Sequence, residues 1–147
     1  MPRGGGGGGR RAGGRRAAVR FRVQAPRRLR VVVCNCSVCA MKRNDHFIVP
    51  AGRFELLAGA DALTTYTFNT GRAKHTFCKV CGVQAFYTPR SNPDGVAVTA
   101  ACITSDTVEG IDLEHFDGRN WEAAYAASDL PQRSAPASPG PAPKTCT

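Results

Sequence analysis

Five cysteines carry the most specific chemistry in this sequence. Cys34-Asn35-Cys36-Ser37-Val38-Cys39 has the form C-x-C-x-x-C, and Cys78-Lys79-Val80-Cys81-Gly82 has the form C-x-x-C-G. Thiolates two and three residues apart in a tight turn can converge on one cation. Soft sulfur donors select zinc, a tetrahedral ion bound about 2.3 Å from each sulfur. Gly82 suits a turn whose backbone must pass close to a metal. Two groupings satisfy the spacing. In the first, Cys36, Cys39, Cys78 and Cys81 close a four-thiolate site of zinc-ribbon type, Cys34 is spare, and the metal only staples the fold. In the second, Cys34, Cys36 and Cys39 hold zinc by three sulfurs and leave its fourth position open to water or a thiolate. Spacing alone does not choose between them.

Other residues gain interest from their neighbours. His46 opens a short apolar segment and is a candidate acid–base or ligand-orienting group, although packing is the commoner role for such a histidine. His75 stands three residues before Cys78 and is a candidate ligand; His115 reads as structural or exposed. Three thiolates leave zinc with net negative charge, and a substrate thiolate would add to it. Lys42, Arg43 and Arg90 are candidates to offset that charge, each of which singly reads as solvated. Cys102 reads as a small buried hydrophobe, Cys146 as a free thiol, and Trp121 and Tyr125 as helix packing. Seven cysteines, an odd number, argue against a fully disulfide-bonded framework. No apolar stretch follows the initial Gly/Arg run, so no secretory signal is read. A reducing compartment, nuclear or cytoplasmic, is the expectation.

The elements that must position these groups fit one domain in 147 residues. No run approaches the roughly 20 apolar residues of a membrane span, so no membrane partner is expected. The net charge of +9 is unevenly placed: residues 1–30 hold ten Arg and no acid, while the other ten basic residues face all eleven acidic ones. The body is therefore near neutral and carries a basic arm. Residues 1–16 read as a disordered Gly/Arg arm, 17–129 as the folded body, and 130–147 as a disordered Pro-rich tail. Apolar–basic alternation from Ala18 to Val23 predicts a half-buried strand. Leu29 to Val33, His46 to Val49, Phe54 to Leu57, Leu63 to Phe68, Ala73 to Phe77, Gly82 to Thr88 and Val96 to Ile103 are further strand candidates, and Cys34 to Arg43 reads as a metal loop. One helix is expected, capped by Asp117 and ending near Ser128. Short, numerous strands predict a β-rich domain stapled by metal.

The cysteine motif, His46-Phe47-Ile48-Val49-Pro50-Ala51, Thr65-Tyr66-Thr67-Phe68-Asn69-Thr70, the run His75 to Gln84 and Phe86-Tyr87-Thr88-Pro89-Arg90-Ser91-Asn92-Pro93 together resemble the glutathione-dependent formaldehyde-activating (GFA) family. The resemblance covers roughly residues 17–128 and implies a β-tent fold with two zinc sites. It implies that Cys34, Cys36 and Cys39 hold a catalytic zinc. It implies that Cys78 and Cys81 supply half of a structural zinc site, completed in the family by an N-terminal C-x-C. Those two positions align with Gly14 and Arg16, and no cysteine precedes Cys34. The expected count is therefore one or two ions. The resemblance implies carbon–sulfur lyase chemistry on a glutathione-type thiol adduct. It also extends to a family member associated with centromeric chromatin and microtubules. The Arg-rich arm can bind such anionic surfaces, or nucleic acid nonspecifically, through phosphate or carboxylate attraction. Phe21 is the only aromatic residue among the first thirty, which leaves little for base stacking. The rival reading is a non-catalytic, zinc-stapled chromatin- or microtubule-binding module.

Overall fold

The computed structural model describes residues 9–12 by their backbone and residues 18–135 in full. Strands β1 (Gly9–Ala12) and β2 (Arg20–Gln24) pair antiparallel, Ala12 opposite Phe21. The alternation read from the sequence survives in β2: Phe21 and Val23 are buried, while Arg20 and Gln24 are exposed. Within the Gly/Arg arm, residues 9–12 pair with β2. A Gly/Arg segment can pair there because strand edges offer main-chain groups whatever the side chains are. The rest of that arm, at 1–8 and 13–17, lies outside the described residues.

Strand β3 (Arg28–Cys34) ends on the first cysteine, α1 (Ser37–Lys42) follows, and β4 (His46–Pro50) returns antiparallel. The segment expected as a metal loop thus contains a short helix. It stops at Arg43, whose left-handed φ of 52° turns the chain towards β4. Strand β5 (Phe54–Ala58) joins β2, and β6 (Leu63–Tyr66) forms a hairpin with β7 (His75–Cys78). Strand β8 is only Phe86–Tyr87, and β9 is Gly95–Thr99, continued by a 3-10 turn at Ala100–Cys102. Finally β10 (Gly110–Phe116) leads to a 3-10 turn at Gly118–Asn120 and α2 (Trp121–Ala126).

Three sheets result: β1-β2-β5, β10-β3-β4-β9-β8, and β6-β7. Strand periodicity divides β4 between two interiors. Phe47 and Val49 join Phe21, Val23, Leu29, Val31 and Val98 in the main core. Ile48 joins Val32, Tyr87, Ala97 and Leu130 in a second cluster. Phe21, Phe54 and Phe86 meet in the main core with centroids 4.6–5.7 Å apart.

Strand β10, absent from the sequence expectations, lies parallel to β3 over seven register pairs, ending with Phe116 opposite Cys34. Its acids meet the exposed arginines of β3. Arg28 pairs with Asp112 at 2.5 Å, Arg30 with Glu114 at 2.5 Å and with Asp129 at 2.7 Å, and Arg133 reaches both Glu114 and Asp129. The helix expected from Asp117 begins later, at Trp121. Asp117 instead accepts from the side-chain amides of Asn35 (2.9 Å) and Asn120 (2.7 Å) and fixes the preceding turn. The expected tail boundary at residue 130 also moves. Leu130–Ser134 is a 3-10 turn with both ends buried, held by the Asn92 amide, which donates to the Leu130 carbonyl and the Ser134 hydroxyl. Residues 136–147 lie outside the described residues.

Candidate metal centre and cavity

The sulfurs of Cys34, Cys36 and Cys39 all lie within 4.8 Å of one another. A strand end, a helix N-cap and the first turn of the same helix bring them together. The Cys36 N–H points at the Cys34 sulfur at 3.5 Å, and the buried Asn44 amide points at the Cys39 sulfur at 3.8 Å. Gly118 closes in from the far side. A Cβ there would stand 2.4 Å from the Cys34 sulfur and 2.8 Å from the Cys36 Cβ. Only glycine admits so close a backbone approach.

Three thiols this close cannot all ionise without a cation. The Cys36 thiol is driven well below its ordinary value, first by hydrogen bonding from Cys34 and then from Cys39. Cys39 is pushed up because Cys34 and Cys36 hold it in its protonated, donating form, and Cys34 is pushed up chiefly by Cys36. A soft divalent cation removes the conflict by taking all three as thiolates. Three sulfurs also leave a tetrahedral ion with one free corner.

The cluster forms one wall of a cavity of about 180 Å³, which also receives His46, His75, Tyr87, Arg90 and Trp121. His46 is fully engaged. Its Nδ1–H donates to the Asn44 carbonyl at 2.9 Å, which leaves Nε2 to accept from the Tyr87 hydroxyl at 3.3 Å. Burial holds the imidazole neutral by pushing its pKa down, and burial pushes the Tyr87 phenol up. Arg90 lies 3.7 Å from the Trp121 ring centroid and donates to Glu122 at 2.5 Å. Trp121 stacks on Tyr125 at 4.5 Å, so it packs its helix as expected and also walls the cavity.

The second knuckle stands apart. Among the described residues, Cys34, Cys36 and Cys39 are the only group of three or more candidate ligands, so the four-thiolate grouping with Cys78 and Cys81 is not formed. The knuckle itself is well made. Backbone N–H groups of Cys81 and Val80 point at the Cys78 sulfur and hold its thiol below the ordinary value. Gly82 adopts φ 76° and its N–H donates to the Cys78 carbonyl at 2.7 Å. Cys78 is buried against Val19 and Ala62, and Cys81 is exposed. His75 does not serve this pair: three residues from Cys78 on a strand, it projects from the opposite face of β7, into the cavity. Gly14 and Arg16 lie outside the described residues, as does Cys146.

Of the three cationic candidates, only Arg90 reaches the cavity. Lys42 donates to Gln84 at 2.9 Å and sits 5.1 Å from the Phe77 ring centroid, while Arg43 is exposed. Cys102 is half-buried at the edge of the main core, and His115 is exposed. Sequence reading gave no cavity role to Tyr87, Phe68 or Gly118, and no role beside the sulfurs to Asn44. The Asp117-Gly118 pair is a turn signal that could have marked Gly118; Tyr87 and Phe68 come from remote segments, and Asn44, only five residues after Cys39, carries no motif that marks its contact with that sulfur.

The model of the glutathione-dependent formaldehyde-activating enzyme family matches residues 16–116. The chain belongs to that family. Among solved structures, a Rhodobacter sphaeroides protein is similar at 26% identity, with a TM-score of 0.59, covering 71% of this chain and 99% of its own. Family membership and the three-sulfur cluster together support zinc as the ion and a glutathione-type thiol as the partner.

Proposed function

We propose that the chain is a carbon–sulfur lyase that makes and breaks the S-hydroxymethyl adduct of a glutathione-type thiol, with Cys34, Cys36 and Cys39 as its zinc ligands. One observation carries the reading: three mutually close sulfurs wall a cavity, with no fourth candidate ligand gathered beside them among the described residues. Zinc held there would stabilise a substrate thiolate as nucleophile or leaving group. The chain's own residues supply the surroundings. Asn44 orients Cys39, and Gly118 leaves room for Cys34. Arg90 brings positive charge to the cavity, and the Val32 and Phe116 side chains keep part of the lining apolar.

The test compares zinc content and adduct turnover in the wild type, Cys34→Ser and Cys81→Ser. Cys34→Ser should lose both zinc and turnover; Cys81→Ser should keep the zinc bound by the trio and its activity. A Cys34→Ser chain with undiminished zinc would end the lyase reading.

Within the family we assign the chain to the centromere protein V type, supported by the runs Thr65–Thr70, His75–Gln84 and Phe86–Pro93. This favours a second role, in which the ten arginines of residues 1–30 hold the zinc domain on chromatin or microtubules in nucleus or cytoplasm. Deleting residues 1–16 should abolish DNA or microtubule co-sedimentation at low salt, and raised salt should do the same to the intact chain. Binding that survives the deletion would remove the arm from the account.

A further inference from the structure

His75 has unused hydrogen-bonding capacity on the cavity wall. Neither its Nδ1 nor its Nε2 has a hydrogen-bond partner, although the residue is only 3% exposed. Its ring lies between Phe68, with centroids 5.5 Å apart and planes at 23°, and Tyr87, at 5.2 Å and 10°. Two rings therefore stack on the imidazole, and its two nitrogens are buried without a hydrogen-bond partner among the described residues. That residue lines the same cavity as the three sulfurs.

The contrast with His46 shows that this is selective. His46 lines the same cavity and has both nitrogens satisfied, by the Asn44 carbonyl and the Tyr87 hydroxyl. The fold thus ties down one imidazole and leaves the other without a partner among the described residues. Buried polar atoms are ordinarily paired, and an unpaired one in a cavity calls for a ligand with complementary donors and acceptors. Burial, followed by the charge of Lys42, pushes the His75 imidazolium pKa down. The ring therefore rests neutral, with one N–H to donate and one lone pair to accept.

We propose that His75 is the acid–base catalyst of this site, exchanging the hydroxyl proton of an S-hydroxymethyl thiol adduct. The proposal rests on the lyase reading above and adds the residue that moves the proton. In cleavage, the hydroxyl proton passes to the free nitrogen of His75, and the O–H electron pair becomes the second bond of a carbonyl. The carbon–sulfur bond breaks with its electrons going to sulfur. The products are formaldehyde, a thiolate and an imidazolium. In the reverse direction the thiolate adds to the carbonyl carbon, and the imidazolium returns its proton to oxygen. No oxidant or second co-reactant enters.

The test uses the full, zinc-loaded chain and two substitutions. His75→Phe keeps an aromatic ring in the stack and removes both nitrogens; His75→Gln keeps a polar group without an imidazole. Both should retain zinc and bind glutathione within about twofold by calorimetry, a contact with the hydroxyl alone leaving the thiol anchored. Exchange between adduct and free glutathione plus formaldehyde, followed by NMR, should slow by about 10²- to 10⁴-fold. In the wild type, the ¹⁵N signal of the His75 ring should move when glutathione and formaldehyde are supplied together. It should stay in place with S-methylglutathione, which has no hydroxyl. Undiminished exchange in His75→Phe, or an unmoved ¹⁵N signal, overturns the proposal. A chain that binds zinc and glutathione but turns nothing over overturns it too. A wild-type chain that takes no zinc instead removes the lyase reading itself, and the role of His75 with it. If the variants fail to fold, the wild-type ¹⁵N measurement decides.

Discussion

Gly118 shows how little freedom the cysteine trio has. A methyl group added there would meet the Cys34 sulfur at 2.4 Å, well inside van der Waals contact. Cys34 cannot retreat easily, because it ends a strand whose neighbour pairs with it at Phe116. Gly118→Ala should therefore displace a ligand and weaken zinc binding by about 10- to 100-fold, the range seen when groups supporting metal ligands are disturbed. Competition with a chromophoric chelator measures this. Unchanged affinity would show that the turn yields instead of the sulfur. The cysteines themselves were legible in the sequence because thiol type and short spacing are local properties. Their setting was not. His75, Tyr87 and Gly118 come from three separate segments, and nothing near any of them announces that they share one cavity.

At the scale of elements, β10 was the main omission. Its partner β3 lies far back in the chain, and its pairing is parallel, so no turn signal joins the two. Its own pattern also misleads: Ile111 and Leu113 are exposed, while Asp112 and Glu114 turn towards arginines. By contrast, β2 was legible because its apolar residues are the buried ones. The acid–arginine ladder gives a prediction with a definite sign. Burial pushes the Glu114 carboxyl up, but hydrogen bonds from Arg30 and Arg133 outweigh it and hold the group below its ordinary value. A carboxylate whose folded pKa is depressed contributes stability above its unfolded pKa of about 4.3 and loses it as pH falls through the folded value. Glu114→Gln should thus cost about 1 kcal/mol at pH 7, a figure kept small by partial exposure, and almost nothing at pH 2. Denaturant melts of both chains at the two pH values check this; a gap that persists in acid would point to packing.

At the scale of the molecule, two interiors on opposite faces of one sheet divide the work. The main core around Phe21 supplies apolar burial, and the second cluster underlies the cavity. Phe21→Ala empties a site that is 1% exposed and should cost about 3–5 kcal/mol. Removing zinc with a chelator should also lower Tm, because an ion that binds only the folded chain stabilises it by mass action. The two losses should differ in kind. Added zinc should restore the second and leave the first in place, since the two interiors are separate clusters. Differential scanning fluorimetry with and without chelator distinguishes them, and a Cys34→Ser chain should be indifferent to chelator at the trio.

Asn35 receives its bracing from Asp117, 82 residues further along, and the same returning segment brings Gly118 against Cys34. On a ribosome this separation becomes a delay. The three thiols emerge first, into a reducing or an oxidising milieu, with no wall behind them. Only when the late strand has docked beside the early one does the pocket exist as a shaped space. A nascent or truncated chain ending before that strand would therefore present bare, reactive sulfur, and the care of those sulfurs during synthesis falls to whatever metal or chaperone reaches them first.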